Sequence, residues 1–313
     1  MAIVKNVFNR YRILLLAIVI FVVMSLINKH YFTENNIYGL FDGIPAYGIM
    51  AIGLTFVMLC GQLDISLGSV AALTACVFMI MVPTAGFLLS MLTALALGCV
   101  LGALTGFFIS FFRLSSFIVS MTMQLAYKGI ALTITNSKPV SLMEPTLEAV
   151  SKIQIGPIPV TFFLFLLVVV IAQFILTWTR YGRNLYIIGG NINVADNLGL
   201  NVRRHLWSVF IIQGFAAALG GLVMMTRMFS ASGNLALDAP LSVIPVVIVG
   251  GTAFAGGKGG AVNTLFGVLL MNIVYNAMTM FSLYANIQSL IKGVILLFII
   301  VVDKYLENRN RKV

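Results

Sequence analysis

Residue types that carry out chemistry are scarce in this sequence of 313 residues. The two histidines, His30 and His205, and the three cysteines, Cys60, Cys76 and Cys99, lie far apart in the chain. Their spacing matches neither a metal-binding motif nor a nucleophile with its base. The sequence therefore predicts no catalytic residue, no metal and no cofactor, and it argues against a membrane-embedded enzyme.

A glycine-rich stretch at residues 250–260, GGTAFAGGKGG, is the one segment that resembles a phosphate-binding loop. A P-loop needs Gly six residues before its Lys and Ser or Thr directly after it. Thr252 and Gly259 occupy those positions around Lys258, so the pattern fails twice and we expect no ATP hydrolysis by this chain. The glycines instead predict a tight re-entry between two helices, where backbones approach closely.

A second polar stretch, GQLDISLGS at residues 61–69, interrupts two long apolar runs with one carboxylate, Asp64. A charge at the bilayer centre costs roughly 3 kcal/mol on insertion scales. A helix cap and the positive end of a helix dipole each offset about 1 kcal/mol of that cost. We therefore expect Asp64, or else Ser66, to cap the helix that follows, with Asp64 accepting from the backbone of Ser66 or Leu67.

A short stretch at residues 230–240, SASGNLALDAP, is weakly similar to this one. It also contains a glycine, a short apolar spacer and an aspartate, Asp238. Interrupted segments in corresponding halves of a transporter often mark its transport path. The predicted path turns comprise Asp64, Ser66, Gly68, Ser69, Asp238, Gly250, Gly251, Gly256 and Gly257.

The elements that position these turns must be membrane helices, because 60% of the residues are apolar and only 9% are charged. A spanning helix needs roughly 20 apolar residues. The sequence predicts an all-α polytopic membrane protein of about ten transmembrane helices with broken or re-entrant segments, forming one domain over 1–313. The predicted segments are 12–29, 41–60, 65–82, 87–111, 115–136, 158–178, 206–228, 241–254, 261–281 and 285–302.

The net charge of +10 comes from lysines and arginines spread over short loops, so it indicates topology and not a nucleic-acid surface. With the N-terminus inside, ten crossings place thirteen Lys and Arg residues on the inner side and four on the outer side. The positive-inside rule then predicts that both termini are cytoplasmic.

Two loops are long enough for a role of their own. The outer loop contains a short helical candidate at 145–152. The inner loop contains another at 192–198, with Asn191 as its N-cap and Gly199 as its stop. Without further information, the residues of the inner loop fit a solvated, positively charged loop with no specific role equally well.

Three blocks of sequence resemble the permease subunits of ribose-type sugar ABC importers. GQLDISLGS is similar to that family's G-G-I-D-L-S-V-G-S signature, and YGRNLYIIGGNINVADNLGLNV to its inner loop. LDAPLSVIPVVIVGGTAFAGGKGG is similar to its stretch ending in G-G-T-x-x-x-G-G-x-G. The blocks occur in family order and span about residues 40–302.

The resemblance implies a permease, in a homodimer or a heterodimer with a related permease, in the lipid of the bacterial inner membrane. It would work with a cytoplasmic ABC ATPase and a periplasmic or lipoprotein solute-binding protein. Residues 144–152, beginning at Glu144, and 233–238 would face the binding protein. The ATPase-coupling loop would comprise Asn191, Asn193, Ala195, Asp196 and Gly199.

Three departures from the family pattern, Gln62, Ser242 and Pro245, leave the solute open. The resemblance favours a simple sugar or a similar small neutral polar solute, and a nucleoside or another non-sugar solute is the alternative. A stand-alone ion-coupled transporter would need a relay of ionisable groups inside the membrane. The candidates for it are Asp64, Lys128 and Lys292, which are too few for such a relay.

Overall fold

The computed structural model describes residues 2–143 and 145–310, and the side chains of residues 13–143 and 145–301. Long apolar runs dominate the sequence, and the described chain is correspondingly helical. Its helices are α1 Ala2–Ile27, α2 Glu34–Leu59, α3 Leu67–Phe112, α4 Ser116–Ile134, α5 Pro145–Lys152, α6 Val160–Trp178, α7 Arg180–Gly190, α8 Ile192–Asn197, α9 Val202–Met228, α10 Ala239–Val249, α11 Ala261–Met280 and α12 Ala285–Asn310.

Each of the ten predicted segments overlaps a helix. The segments 65–82 and 87–111 both lie in α3, which is broken at Gly86, where the backbone is non-helical with φ 75° and ψ 167°. The short helix predicted at 145–152 is confirmed as α5, and the one predicted at 192–198 is confirmed as α8, one residue shorter.

Among the described residues, six helices are long and apolar enough to cross a membrane: α2, α3, α4, α6, α9 and α11. The chain is therefore a multi-pass membrane protein. The apolar helix α10 has only 11 residues, and at 1.5 Å per residue it covers about half of the roughly 30 Å hydrocarbon core. The number of ten crossings and the sides of the termini stay predictions.

The helices α2 and α9 form the centre of the bundle. In their most apolar stretches 78% and 72% of the residues are buried, against 22% in α4 and 33% in α6. Helices that are apolar all round and buried all round belong to a protein interior. The outer helices carry the exposed apolar side chains that lipid would cover.

A row of small residues allows α3 and α9 to pack closely. Gly98, Gly102 and Gly106 follow one another at intervals of four, and a Cβ atom on any of them would collide with α9 at Phe210 or Gly214. Trp207 of α9 donates its indole N–H to the Ala103 carbonyl of α3 at 2.9 Å. Small residues at such spacing let membrane helices approach until their backbones touch.

Two short antiparallel ladders order the loops at one end of the bundle. β1 (Val140–Ser141) pairs with β4 (Ser230–Ala231), and β2 (Gln154–Ile155) pairs with β3 (Ile158–Pro159). The loop before α5 is thereby fastened to the loop after α9. We refer to this end as the α5 end, and to the opposite end, which carries α7 and α8, as the α8 end.

Candidate functional site: two buried turns and a main-chain junction

The Asp64 turn joins α2 to α3 and is buried, with Asp64 only 3% exposed. Asp64 Oδ1 accepts hydrogen bonds from the Ser66 amide at 2.8 Å and from the Ser66 hydroxyl at 2.6 Å. The predicted bond from the Ser66 amide is confirmed, but the expectation that Asp64 caps α3 is wrong, because Ser66 holds the cap position and the Asp64 carboxylate bonds Ser66 and no amide within the helix. The expectation that the Ser66 side chain could cap α3 is wrong, because its hydroxyl is used by Asp64 and makes no cap bond. The carboxylate therefore holds the turn before the helix closed.

The first turn of α3 contacts the second predicted path turn. A Cβ atom on Gly68 would overlap the Ala236 carbonyl oxygen and lie 3.4 Å from the Ala239 side chain. The two polar interruptions that the sequence suggested as counterparts are thus neighbours in space. The hydroxyls of Ser69 and Ser242, in the first turns of α3 and α10, are buried and have no hydrogen-bond partner among the described residues.

Asp238, the residue before α10, binds two distant helices. Its Oδ1 accepts from the Tyr47 hydroxyl of α2 at 3.2 Å, and its Oδ2 lies 2.7 Å from Lys292 Nζ of α12. Lys292 also lies 5.2 Å from the ring centre of Tyr275, within the range of a cation–π contact. Asp238 therefore makes a partly buried ion pair and no cap bond to α10.

The glycine-rich loop between α10 and α11 is the tight re-entry that the sequence predicts. Gly251, Gly256 and Gly257 have φ of 93°, 90° and 74°, a region that favours glycine. Gly250 packs against the backbone of α11, where a Cβ atom would approach Thr264 Cα to 2.9 Å. The loop can therefore bring its main chain against other segments.

Three main-chain segments meet at the α8 end, at Leu59, Gly189 and Gly257. We call this contact the main-chain junction. The Gly257 amide donates to the Leu59 carbonyl at 2.9 Å. A Cβ atom on Gly189 would overlap that same carbonyl oxygen, and one on Gly257 would lie 2.9 Å from Gly190 Cα. The junction joins the ends of α2 and α7 to the glycine-rich loop.

Helix α7 is fastened on both of its sides. Tyr186 donates its hydroxyl to the Gly259 carbonyl at 3.0 Å, and burial raises the pKa of this phenol, which keeps its proton for that bond. Tyr181 lies 2.6 Å from the Ser208 hydroxyl of α9 and stacks on His205 at a ring-centre distance of 5.6 Å. Movement of α7 would therefore pull on both α9 and the glycine-rich loop.

The predicted coupling loop follows α7 directly. Asn191 caps α8 as predicted, its side-chain oxygen accepting from the amides of Asn193 and Val194 at 2.9 and 3.3 Å. Gly199 has φ 75° and ends the segment as predicted. Asn193 and Asp196 are exposed, whereas Ala195 is fully buried. The helix is thus anchored at Ala195, and it exposes the apolar side chains of Ile192 and Val194 together with its polar ones.

A cavity of about 680 Å³ separates α8 from the Asp64 turn. Its lining includes Asn193 and Asp196 of the predicted coupling loop, Arg113 and Arg203 from the ends of α3 and α9, and Gln62 of the turn. Gln62 is one of the three departures from the family pattern, and it lines the same cavity as the predicted coupling loop.

Two ion pairs at the site were missed by reasoning from sequence. Arg227 Nε lies 2.6 Å from Asp42 Oδ2, which joins the ends of α9 and α2 at the α5 end, and the other is Lys292 with Asp238. A lysine inside an apolar run needs a partner, so the position of Lys292 in the sequence already indicated that it would form an ion pair. In both pairs the two residues are far apart in the sequence, so their spacing could not show which residue pairs with which.

The predicted surface for the binding protein lies in part on α5. Its first residue, Glu144, lies outside the described residues. On α5 itself Lys152 Nζ and Glu148 Oε1 are 2.5 Å apart in an exposed pair, and the Lys152 ammonium lowers the pKa of the Glu148 carboxyl. Within the described ranges no three His, Cys, Asp or Glu side chains are grouped to hold a metal ion.

Comparison with known proteins yields one family and a consistent set of relatives. The family model described as branched-chain amino acid transport system / permease component matches residues 35–300. The ribose import permease protein RbsC of Escherichia coli (strain K12) is 31% identical over 295 residues, covering 93% of this chain and 92% of that protein. No solved structure matches the chain.

Two further relatives carry the names of other sugars. The D-allose transport system permease protein AlsC of Escherichia coli (strain K12) is 30% identical, covering 93% of this chain and 90% of its own. The L-arabinose ABC transporter permease protein AraH of Azospirillum brasilense is 28% identical, covering 98% and 91%. The family model spans most of the chain and these relatives nearly all of it, and the chain thus belongs to the family of transport-system permease components that the model describes.

Proposed function

We propose that this chain is the membrane permease subunit of an ATP-driven ABC importer for a monosaccharide. The observation that carries the proposal is the coverage of relatives named for ribose, allose and arabinose, each above nine-tenths of this chain. The chain contains no P-loop, so ATP hydrolysis falls to a separate partner subunit.

The proposed assembly contains two permease chains, identical or related, a cytoplasmic ABC ATPase and an extracytoplasmic solute-binding protein. The permease lies in the inner membrane in ten crossings, with both termini cytoplasmic. The charge distribution supports this orientation, which places the α8 end at the ATPase and the α5 end at the binding protein.

The contacts of α7 and α8 support a mechanical role for the predicted coupling loop. A rigid push on α8 acts through α7 on the main-chain junction, and hence on the end of α2 and on the loop after α10. These two segments flank the Asp64 turn and α10, where the predicted path turns lie. Backbone contacts of this kind transmit displacement because packed interiors compress little.

The Asp64 and Asp238 turns would then change their relative position when ATP is bound or hydrolysed. Their contact, Gly68 against Ala236, lies beside the first turns of α3 and α10. The Ser69 and Ser242 hydroxyls of these turns are buried and have no partner in the described part of the chain. Hydroxyls of this kind suit transient bonds to a polar solute as it passes. The carboxylate of Asp64 remains bonded to Ser66 and shapes the turn.

Reconstitution tests the proposal directly. The permease is purified with its ATPase, placed in proteoliposomes, and supplied with the binding protein and radiolabelled solute. We expect ATP-dependent uptake of ribose, allose or arabinose and none of leucine or adenosine. Uptake of leucine alone would favour the solute in the family description, uptake of adenosine alone would favour a nucleoside, and uptake without ATPase would indicate a stand-alone transporter.

A further inference from the structure

A cavity of about 480 Å³ opens at the α5 end of the bundle. Four elements enclose it: the beginning of α2, the end of α5, the beginning of α6 and the end of α9. Its polar lining comprises Tyr38, Asp42, Ser151, Thr161, Thr226 and Arg227. The volume falls within the roughly 300–1,000 Å³ of small-molecule sites.

The charges in this cavity cancel while leaving hydrogen-bonding capacity. Arg227 Nε is bound to Asp42 Oδ2 at 2.6 Å, and the two side chains are 39% and 17% exposed. A guanidinium carries five N–H donors and a carboxylate two acceptor oxygens. One neutral pair therefore presents donors and acceptors side by side, as neighbouring hydroxyl groups of a ligand require.

Thr161 lines the same cavity, and rotation about its χ1 angle can turn its hydroxyl toward a ligand there. Its hydroxyl oxygen is buried and has no hydrogen-bond partner among the described residues. A buried hydroxyl without a partner costs free energy, and such a group in a folded protein calls for an explanation such as a ligand. Apolar walls from Ile153 and Met224, with the ring of Tyr38, complete a lining of mixed character.

We propose that this cavity is a receiving subsite for a neutral, polyhydroxylated ring of the monosaccharide class. The inference rests on the proposed function and adds to it a binding position for the solute. The ligand is neutral because the lining charges are paired, and it carries several hydroxyls because donors, acceptors and an orphan hydroxyl converge. α5 lies in the segment assigned to the binding protein, so the cavity is placed to take the solute at release.

Saturation-transfer NMR of the full-length chain in nanodiscs tests the subsite without the binding protein. The probes are D-ribose, D-allose and L-arabinose, each at millimolar concentration. We expect signal transfer to at least one sugar, and about fivefold weaker binding in Thr161→Val, the loss set by one hydrogen bond. The control is Thr177→Val, since Thr177 lies on the same helix, away from the cavity, and its exposed hydroxyl donates to the Gln173 carbonyl.

Thermal unfolding of the same variants excludes a purely structural role. Removing an unpartnered hydroxyl leaves the melting temperature unchanged or raises it, so weaker sugar binding at equal stability supports the subsite. Unchanged sugar binding in both Thr161→Val and Tyr38→Phe overturns it. If the reconstituted importer takes up a sugar while the isolated permease shows no transfer from any probe, the subsite fails and the proposed function stands. Uptake of no sugar at all by the complete importer rejects the function itself.

Discussion

Lys292 reaches from α12 to within 2.7 Å of Asp238, and this pair fixes the last helix to the turn before α10. Lys292 is 13% exposed and Asp238 is 42% exposed. The lysine thus loses more of its hydration than the aspartate does. The pair holds a half-length helix whose own N-terminal end has no side-chain cap.

We expect Lys292→Met to lower stability by about 1–3 kcal/mol, because it leaves Asp238 without its cation. The lower end applies where solvent screens the carboxylate. Adding Asp238→Asn should recover most of the loss. Thermal unfolding in detergent measures both variants. A double variant as unstable as the single one would show that the charge pairing is not what stabilises the contact.

Substitutions at Asp64 separate hydrogen bonding from charge. An amide oxygen can accept from the Ser66 amide as a carboxylate does, whereas a leucine side chain cannot. Asp64→Asn should therefore retain most uptake and stability, and Asp64→Leu should lose much of both, with about 1–2 kcal/mol for the lost cap-like bonds. Equal damage from the two variants would assign a role to the negative charge itself.

The cap of α8 offers a test of coupling. Asn191→Ala should loosen α8 by about 1 kcal/mol and reduce the number of solute molecules moved per ATP hydrolysed. Asn191→Asp keeps the capping oxygen and should behave as the parent chain. Uptake and ATP hydrolysis are measured together in proteoliposomes.

Asp196→Lys at the exposed face of the same helix reverses a charge without touching the cap. We expect weaker assembly with the ATPase, measured by co-purification, while the permease itself unfolds at an unaltered temperature. Normal uptake by this variant would remove α8 from the coupling role.

Adjacent glycines at the end of α7 provide a matched pair. A Cβ atom on Gly189 would collide with the Leu59 carbonyl, while one on Gly190 would meet nothing within 4 Å. Gly189→Ala should abolish ATP-driven uptake or folding, and Gly190→Ala should leave both intact. Similar behaviour of the two variants would mean that close approach at the main-chain junction is not required.

The predicted orientation can be checked with single cysteines on opposite ends of the bundle. The native residues Cys60 and Cys76 are buried, and Cys99 is replaced by Ser. An impermeant maleimide added to intact cells should label Lys152→Cys on α5, and should label Asn193→Cys on α8 only after lysis. The reverse pattern would invert the topology.

Local features of this fold were predictable from the sequence. The apolar runs located the helices because burying backbone in lipid demands internal hydrogen bonds. Asn191 and Gly199 bounded α8 because a cap and a left-handed glycine act within a few residues. The helical candidate at 145–152 was also found, beginning at Pro145, a residue that suits the first turn of a helix.

Features that join distant parts of the chain were not predictable. Asp42 with Arg227 and Asp238 with Lys292 are charges on separate helices, and one sequence does not show which partner each selects. The role of Ser66 was misjudged because its hydroxyl could either cap α3 or donate to the carboxylate of Asp64. It donates to Asp64, whose buried carboxylate needs hydrogen-bond donors. The contact of Gly68 with Ala236 was also not predicted. The similarity of the two short stretches suggested counterparts in the two halves of the chain, and it did not place them side by side.

The junction of Leu59, Gly189 and Gly257 consists of carbonyl, amide and Cα atoms. Its shape is consequently independent of side-chain chemistry, and chains that diverge at most other positions can retain it as long as the glycines persist. A junction made of main-chain atoms allows the two ends of the bundle to vary in sequence independently of each other. If the α5 end receives the solute and α8 binds the ATPase, as proposed, both surfaces can diversify while the linkage between them stays the same.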